Sequence, residues 1–480
     1  MGITILGLGP GDPRYLTREA WDVLGKAREV YARTRRHPTL AQLPAHLRIY
    51  DFDHIYDRER DFARVYEAIA REVLALGQSL SGVIYAVPGH PLVGESSVQL
   101  ILSAARDAGI PVNIVEGLSF VEPTLTLLGV DALSGIQIVD AMDIARQGHP
   151  ALNPDRPALL AQLYGRRMAS EVRLTLMNQY PDDHPVTLVM GAGTADAQQE
   201  IPLYDLGIQD EIDHLTVLYV PPLAQPGAME TFQDTVARLR APEGCPWDRE
   251  QTHLTLRSCL LEETYEVLQA LDAEDMHALR EELGDLLMQI VIHTQIATEE
   301  GDFKFADVVS SIDAKIKRRH PHVFGEMQLE GSDAVLQNWE EIKRGERGQE
   351  DHRDILSGVP KALPALALAD SYQRRVVRVG FDWHDIEGVI DKICEEVREV
   401  YQAVDKETRT REIGDLLFAL VNYARWLEID AESALRDASA RFARRFSAME
   451  RAARERGRSL GEMSLDEQET LWEEAKETEG

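Results

Sequence analysis

Between Leu260 and Ile290, apolar residues recur at the three-and-four spacing of helices that bury one stripe. Leu260, Val267, Leu268 and Leu271 mark a first run, and Leu279, Leu283, Leu286 and Ile290 a second. Acidic residues interrupt both. Glu263 falls on the first stripe with Glu266 one turn on beside it, and Glu282 falls between Leu279 and Leu283 with Asp285 at i+3. The pattern predicts two antiparallel helices that each aim two carboxylates at their packed side.

Before Pro221 the period changes. Short apolar runs end in glycine or serine and alternate with helical stretches, the pattern of an α/β domain. ITILGLGPGDPRYLTREAWDVL predicts a buried strand, a glycine-rich turn and a helix starting near Thr17. Further strands are expected in GVIYAVPGHPLVG around Val83, VNIVEGLSF around Val112 and VTLVMGAGT around Val186. Counting G-x-G-x-x-G from Gly7 lands on Asp12, so the turn is not the dinucleotide fingerprint. YVPPLAQPGAMETF reads as a linker, and IKRGERGQEDHRDILSGVPKALP as a second, more charged connection.

The acids return. LLEETYEVLQAL from Leu260 matches ICEEVREVYQAV from Ile393, and EELGDLLMQIVIH from Glu281 matches REIGDLLFALVNY from Arg411. Glu262, Glu263, Glu266, Glu282 and Asp285 thereby fall over Glu395, Glu396, Glu399, Glu412 and Asp415. The offset shortens by three residues between the paired helices, which a change in the connecting loop explains. CPWD at Cys245 lies over GFDW at Gly380, KIKRRH over RFARRF, and WEEIK over WEEAK. An unpaired carboxylate out of water costs several kcal/mol, so clustered acids on an apolar face need compensation. Oxygen-only ligands suit a hard cation, Mg²⁺ or Mn²⁺. The domains expected are 1–222, α/β, then two all-α repeats over 229–347 and 354–480.

On these residues, the segment from about Met229 onward resembles the MazG family of all-α nucleoside triphosphate pyrophosphohydrolases, in its two-repeat form. The resemblance implies hydrolysis of an NTP between its α- and β-phosphates to NMP and pyrophosphate. It implies metal ligands at Glu263, Glu266, Glu282 and Asp285, and at Glu396, Glu399, Glu412 and Asp415. Catalytic work falls to Glu262, Glu263, Glu395 and Glu396, with Glu262 and its counterpart either orienting water or simply exposed. Lys315 with Arg319, and Arg441 with Arg445, each one turn apart, are the expected phosphate contacts. Lys343 and Lys476, four residues after Trp339 and Trp472, form a further matched set that resembles the family's C-terminal substrate contacts. A homodimer through the helices is implied as well. His320 and His322 in RRHPHVF fit a helix end rather than a metal pair, and Trp247 of CPWD is expected to tuck under the bundle.

Upstream, GLGPGD, YAVPGHP and EGLSF resemble the tetrapyrrole methylase family, whose members bind S-adenosylmethionine between two α/β subdomains. Pro88, Gly89, His90, Ser119 and Phe120 are the implied cofactor contacts, and Gly9, Pro10, Gly11 and Asp12 line the acceptor cleft. His90 stands where the family often has Asp. A retained fold without methyl transfer therefore stays open beside an active methylase of unnamed acceptor.

A formal net charge of −31 disfavours binding to nucleic-acid polymers, whereas nucleotides arrive with their own cations. Three cysteines without paired spacing suit a reducing compartment, and neither a membrane-spanning run nor a signal peptide is read, so the cytoplasm is expected. The main reading is a metal-dependent pyrophosphohydrolase fused to a methylase-like domain. The alternative is a tetrapyrrole methyltransferase whose helical half serves dimerisation or nucleotide sensing.

Overall fold

A computed structural model describes residues 2–478 except 60, 192, 194–196, 210, 211, 214, 333, 336, 337, 340, 341, 343–354, 357 and 358. The chain divides into two compact units, Met1–Arg249 and Glu250–Gly480.

The first unit holds two five-stranded sheets. In the first, β1 (Ile3–Gly7) lies between β4 (Val83–Val87) and β5 (Val112–Val115), with β2 (Glu29–Ala32) and β3 (Arg48–Asp51) beyond β4, all parallel. Helices cover both faces. Ile3 and Ile5 pack with Val65, Ile69 and Val73 of helix Phe62–Gly77, while Leu6 and Leu8 pack with Ala20 and Leu24 of helix Arg18–Lys26. Burial on both faces is why β1 is apolar nearly throughout rather than alternating. The expected helix start is met, with Thr17 Oγ1 accepting from the Ala20 amide at 3.2 Å.

The second sheet runs β6 (Gln137–Asp140), β7 (Ala158–Ala161), β10 (Thr216–Val220), β8 (Pro185–Met190) and β9 (Ala197–Pro202), parallel between β6 and β7 and antiparallel elsewhere. The proline-rich segment after β10 is fastened at its end. Asp155 accepts hydrogen bonds from the Gly227 amide at 2.7 Å, the Ala228 amide and the Thr231 hydroxyl, at the entry to helix Met229–Arg240.

The helices of the second unit are labelled α1 (Arg257–Asp272), α2 (Met276–Glu300), α3 (Phe305–Arg319), α4 (Ala365–Val377), α5 (Ile386–Gln402), α6 (Lys406–Trp426), α7 (Ala431–Glu455) and α8 (Leu465–Thr478). The pairs α1/α2 and α5/α6 are the acid-bearing hairpins. Asp275 caps α2 and Asp405 caps α6 in corresponding positions.

Three sequence expectations need correction. Both hairpin connections contain three residues, so the three-residue offset lies not in a loop but in α1, which continues one turn further past its acids than α5 does. That extra turn carries Asp272, which binds Arg436 of α7 at 2.7 Å. Next, the apolar stripe is only partly covered, with Leu260 at 37% and Leu271 at 47% exposure. Burial in this hairpin falls instead on Ala270, Gln289, Val291 and Ile292. Finally, Trp247 is 60% exposed rather than tucked away. Its short helix, Pro246–Glu250, turns Asp248 inward instead, and the Asp248 carbonyl accepts from Arg240 at 2.5 Å.

Candidate functional site

The hairpins gather the acids that the sequence spaced apart. In the first repeat Glu263 and Glu266 of α1 meet Glu282 of α2, and in the second Glu396 and Glu399 of α5 meet Glu412 of α6; within each set, one carboxylate oxygen per residue lies within 4.8 Å of the others. Asp285 and Asp415 fall outside these sets. Partial removal from water, with Asp285 and Glu266 nearby, raises the Glu263 carboxyl above its usual range, and desolvation with Glu266 and Asp285 does the same to Glu282. Glu399 is raised likewise, by desolvation and then by Glu396 and Glu412. A bound cation would relieve such crowding of like charge.

The buried member is Glu396, 4% exposed, and its Oε2 has no hydrogen-bond partner. An orphaned carboxylate oxygen buried beside two further carboxylates fits a hard divalent ion. Its Oε1 is taken by Lys392 Nζ at 2.8 Å, and the same ammonium reaches Glu395 Oε1 at 2.9 Å. Lys392 was not among the sequence candidates, although its i+3 and i+4 spacing to the two acids was readable. Glu262, like Glu395, is exposed at the rim.

The expected phosphate contacts are dispersed over neighbouring helices. Lys315 is exposed on α3, and Arg319, on the same helix, stacks its guanidinium on Trp339 at 5.5 Å. Arg441 and Arg445 sit on α7, where Phe442 meets Trp472 of α8 at 5.3 Å between ring centroids. Lys476 lies 6.0 Å from the Trp472 ring and binds Glu473 at 2.7 Å. Lys343 lies outside the described residues. His320 caps the end of α3 and His322 sits in the short helix Pro321–Phe324.

In the first unit, the three glycine-bearing loops converge at the C-terminal ends of β1, β4 and β5. Gly9 and Gly89 form a bridge, with the Gly89 amide donating to the Gly9 carbonyl at 2.8 Å. A Cβ on Gly117 would stand 2.4 Å from the Gly89 carbonyl oxygen and 2.9 Å from Gly7, so only glycine permits this approach. Beside it opens a cavity of about 430 Å³, to which Pro10, Pro88, Gly89 and Phe120 contribute. His90 and Ser119 are not among its lining residues. The Ser119 hydroxyl donates to Glu122 at 2.7 Å and accepts from the Val121 amide, starting helix Val121–Leu128.

No local pattern of residues announces the polar groups that line the cavity. Arg33 binds the buried Glu95 at 3.2 Å, and Arg33 Nε has no partner. Gln162 holds a left-handed φ of 65°, costly for a residue with a side chain, while its Oε1 accepts from Tyr164 at 2.6 Å. Burial, working against Arg33, pushes the Glu95 carboxyl up to about 7. Between its ordinary value of 4.5 and about 7, the folded chain therefore holds a proton that the unfolded chain has released. This contribution to stability is complete on the acid side and is lost as pH rises through 7. The urea midpoint of the first unit should thus fall from about pH 5 to neutrality in the wild type and stay flatter in Glu95→Gln; parallel profiles would contradict the assignment.

Comparison with known proteins follows the same division. The model of the MazG nucleotide pyrophosphohydrolase domain matches residues 251–324 and 385–448, and that of the Tetrapyrrole (Corrin/Porphyrin) Methylases matches residues 2–206. The uncharacterized protein YabN of Bacillus subtilis is 40% identical over 99% of both chains. The nucleoside triphosphate pyrophosphohydrolase of Escherichia coli K12 is 48% identical over 50% of this chain and 94% of its own length. The nucleoside triphosphate pyrophosphohydrolase/pyrophosphatase MazG of Thermotoga maritima is 42% identical over 52% of this chain and 95% of its own. The chain belongs to the MazG nucleotide pyrophosphohydrolase family, with two MazG segments following a tetrapyrrole methylase domain.

Proposed function

We propose that the protein hydrolyses nucleoside triphosphates to nucleoside monophosphates and pyrophosphate, using divalent metal held by its paired acid hairpins. The observation that carries this reading is the duplicated set of three carboxylates, one set containing a buried oxygen without a partner. Glu263, Glu266 and Glu282, with Asp285 adjoining, would hold Mg²⁺ or Mn²⁺ in the first repeat; Glu396, Glu399 and Glu412, with Asp415 on the same helix, would do so in the second. Such an ion, when bound, neutralises phosphate charge and polarises water. Glu262 and Glu395, at the rim, orient the attacking water. Lys315, Arg319, Arg441, Arg445 and Lys476 bind phosphate oxygens, and Trp472 offers a face to the base. The test is product identity by phosphorus NMR after incubation with NTP and Mg²⁺. Monophosphate and pyrophosphate are expected, and diphosphate with inorganic phosphate would refute the reading.

A homodimer belongs to the same reading. Helix α3 buries none of its residues, and Val308, Val309, Ile312 and Ile316 leave an exposed apolar stripe along it. Light scattering should give twice the chain mass for the wild type and a single chain mass for Ile312→Asp with Ile316→Asp, at unchanged helical content. A wild type that runs as one chain would exclude the dimer. A cytoplasmic location is part of the proposal, supported by three cysteines that form no disulfide. Among the described residues no helix is long and apolar enough to cross a membrane.

The first unit supports a second reading, methyl transfer from S-adenosylmethionine. Its favouring observation is the cavity, with a strained Gln162 and a buried Arg33–Glu95 pair on its wall. Pro88, Gly89 and Phe120 would contact the cofactor, with His90 and Ser119 shaping their loops. Calorimetry with S-adenosylmethionine tests it, and absence of binding leaves a scaffold.

A further inference from the structure

The two acid hairpins match carboxylate for carboxylate, but their counter-charges differ. In the second, Lys392 lies three residues before Glu395 and grips both Glu395 and Glu396. The residue three before Glu262 in the first is Cys259, a free thiol. Among the described residues, no lysine, arginine or histidine lies within salt-bridge distance of Glu262, Glu263, Glu266 or Glu282. The charges acting most strongly on Glu263 and Glu282 are acidic, whereas those acting on Glu399 include Lys392.

We propose that Lys392 is a resident counter-ion of the second acid cluster, occupying Glu396 until a divalent cation displaces it, so that the two clusters bind the same ion with unequal affinity. This rests on the metal-binding reading above. Glu396 is buried and cannot turn to water, so its two oxygens are served separately: Oε1 by the ammonium, Oε2 by nothing in the chain. A divalent ion arriving at Oε2 meets a positive charge already bound to Oε1 of the same carboxylate. The two cations repel, and binding at the second cluster carries the cost of moving Lys392 away. The first cluster has no occupant to expel and three crowded acids to relieve. It fills first.

The experiment is Mn²⁺ alone added to the full chain, with free Mn²⁺ read by electron paramagnetic resonance. The wild type should show two classes of site, the tighter lost in Glu263→Gln and the weaker in Glu396→Gln. Lys392→Met should tighten the weaker class by roughly tenfold or more, while Cys259→Lys should loosen the tighter class by a similar factor. A lysine serving only to brace α5 would produce the opposite sign, looser binding together with lost helicity in Lys392→Met. Classes that respond to Glu263 and Glu396 but not to Lys392 or Cys259 overturn this inference alone. Absence of any class that responds to Glu263 or Glu396 overturns the metal reading and this inference with it.

Discussion

Replacing Glu263 and Glu396 together by glutamine is expected to lower pyrophosphate release from NTP by at least about 100-fold. The amide keeps the shape of the carboxylate, so the hairpins retain their packing, but a neutral oxygen is a poor ligand for a hard ion. Folding should not suffer. Glu263 and its neighbour Glu282 are held above their usual range by desolvation and mutual repulsion, so removing one charge relieves rather than creates strain at neutral pH. Full activity in a folded double variant would place the chemistry elsewhere. The single variants then assign the work: if the second repeat alone turns over substrate, Glu263→Gln stays near wild type while Glu396→Gln falls with the double variant.

The second large effect is expected in the first unit. Valine at Gly117 would push a Cβ to 2.4 Å from the Gly89 carbonyl oxygen, and neither partner is a flexible side chain that can swing away. The loops after β1, β4 and β5 must separate, at a cost of about 2–3 kcal/mol. Binding of S-adenosylmethionine should be lost, because Gly89 contributes to the cavity wall. Hydrolysis of NTP should remain within about twofold of wild type, since all of its proposed residues lie beyond Arg249. Loss of hydrolysis in a variant whose second unit is still folded would show that the units do not act independently.

What could be read from the residues, and what could not, follows from range. The acids were legible because helical spacing is local and the duplication repeated it, so one count along the chain put Glu263, Glu266 and Glu282 on converging faces. The glycine loops were legible because each closes an apolar strand. By contrast, β2, β3, β6, β7, β9 and β10 were not specified individually: they are short, and their partners lie far along the chain. The Arg33–Glu95 pair joins residues 62 positions apart, and no local pattern announces it. Lys392 was missed for a different reason. Lysine one turn before glutamate is the commonest sort of exposed helix pair, and only the burial of Glu396 turns it into an occupant of the cluster. The exposed flanks of α1 and α2 mark where a helical period says which side is apolar without saying what covers it.

On the proposed function, each repeat of the hairpin would hold a divalent ion on its three converging carboxylates. The most direct measurement is the number of Mn²⁺ ions bound per chain by the wild type, by Glu263→Gln, by Glu396→Gln and by the double variant. Each single variant is predicted to lose the binding of its own repeat, and the double variant to lose both. A folded double variant that binds as much Mn²⁺ as the wild type, with the same affinity, would contradict the account.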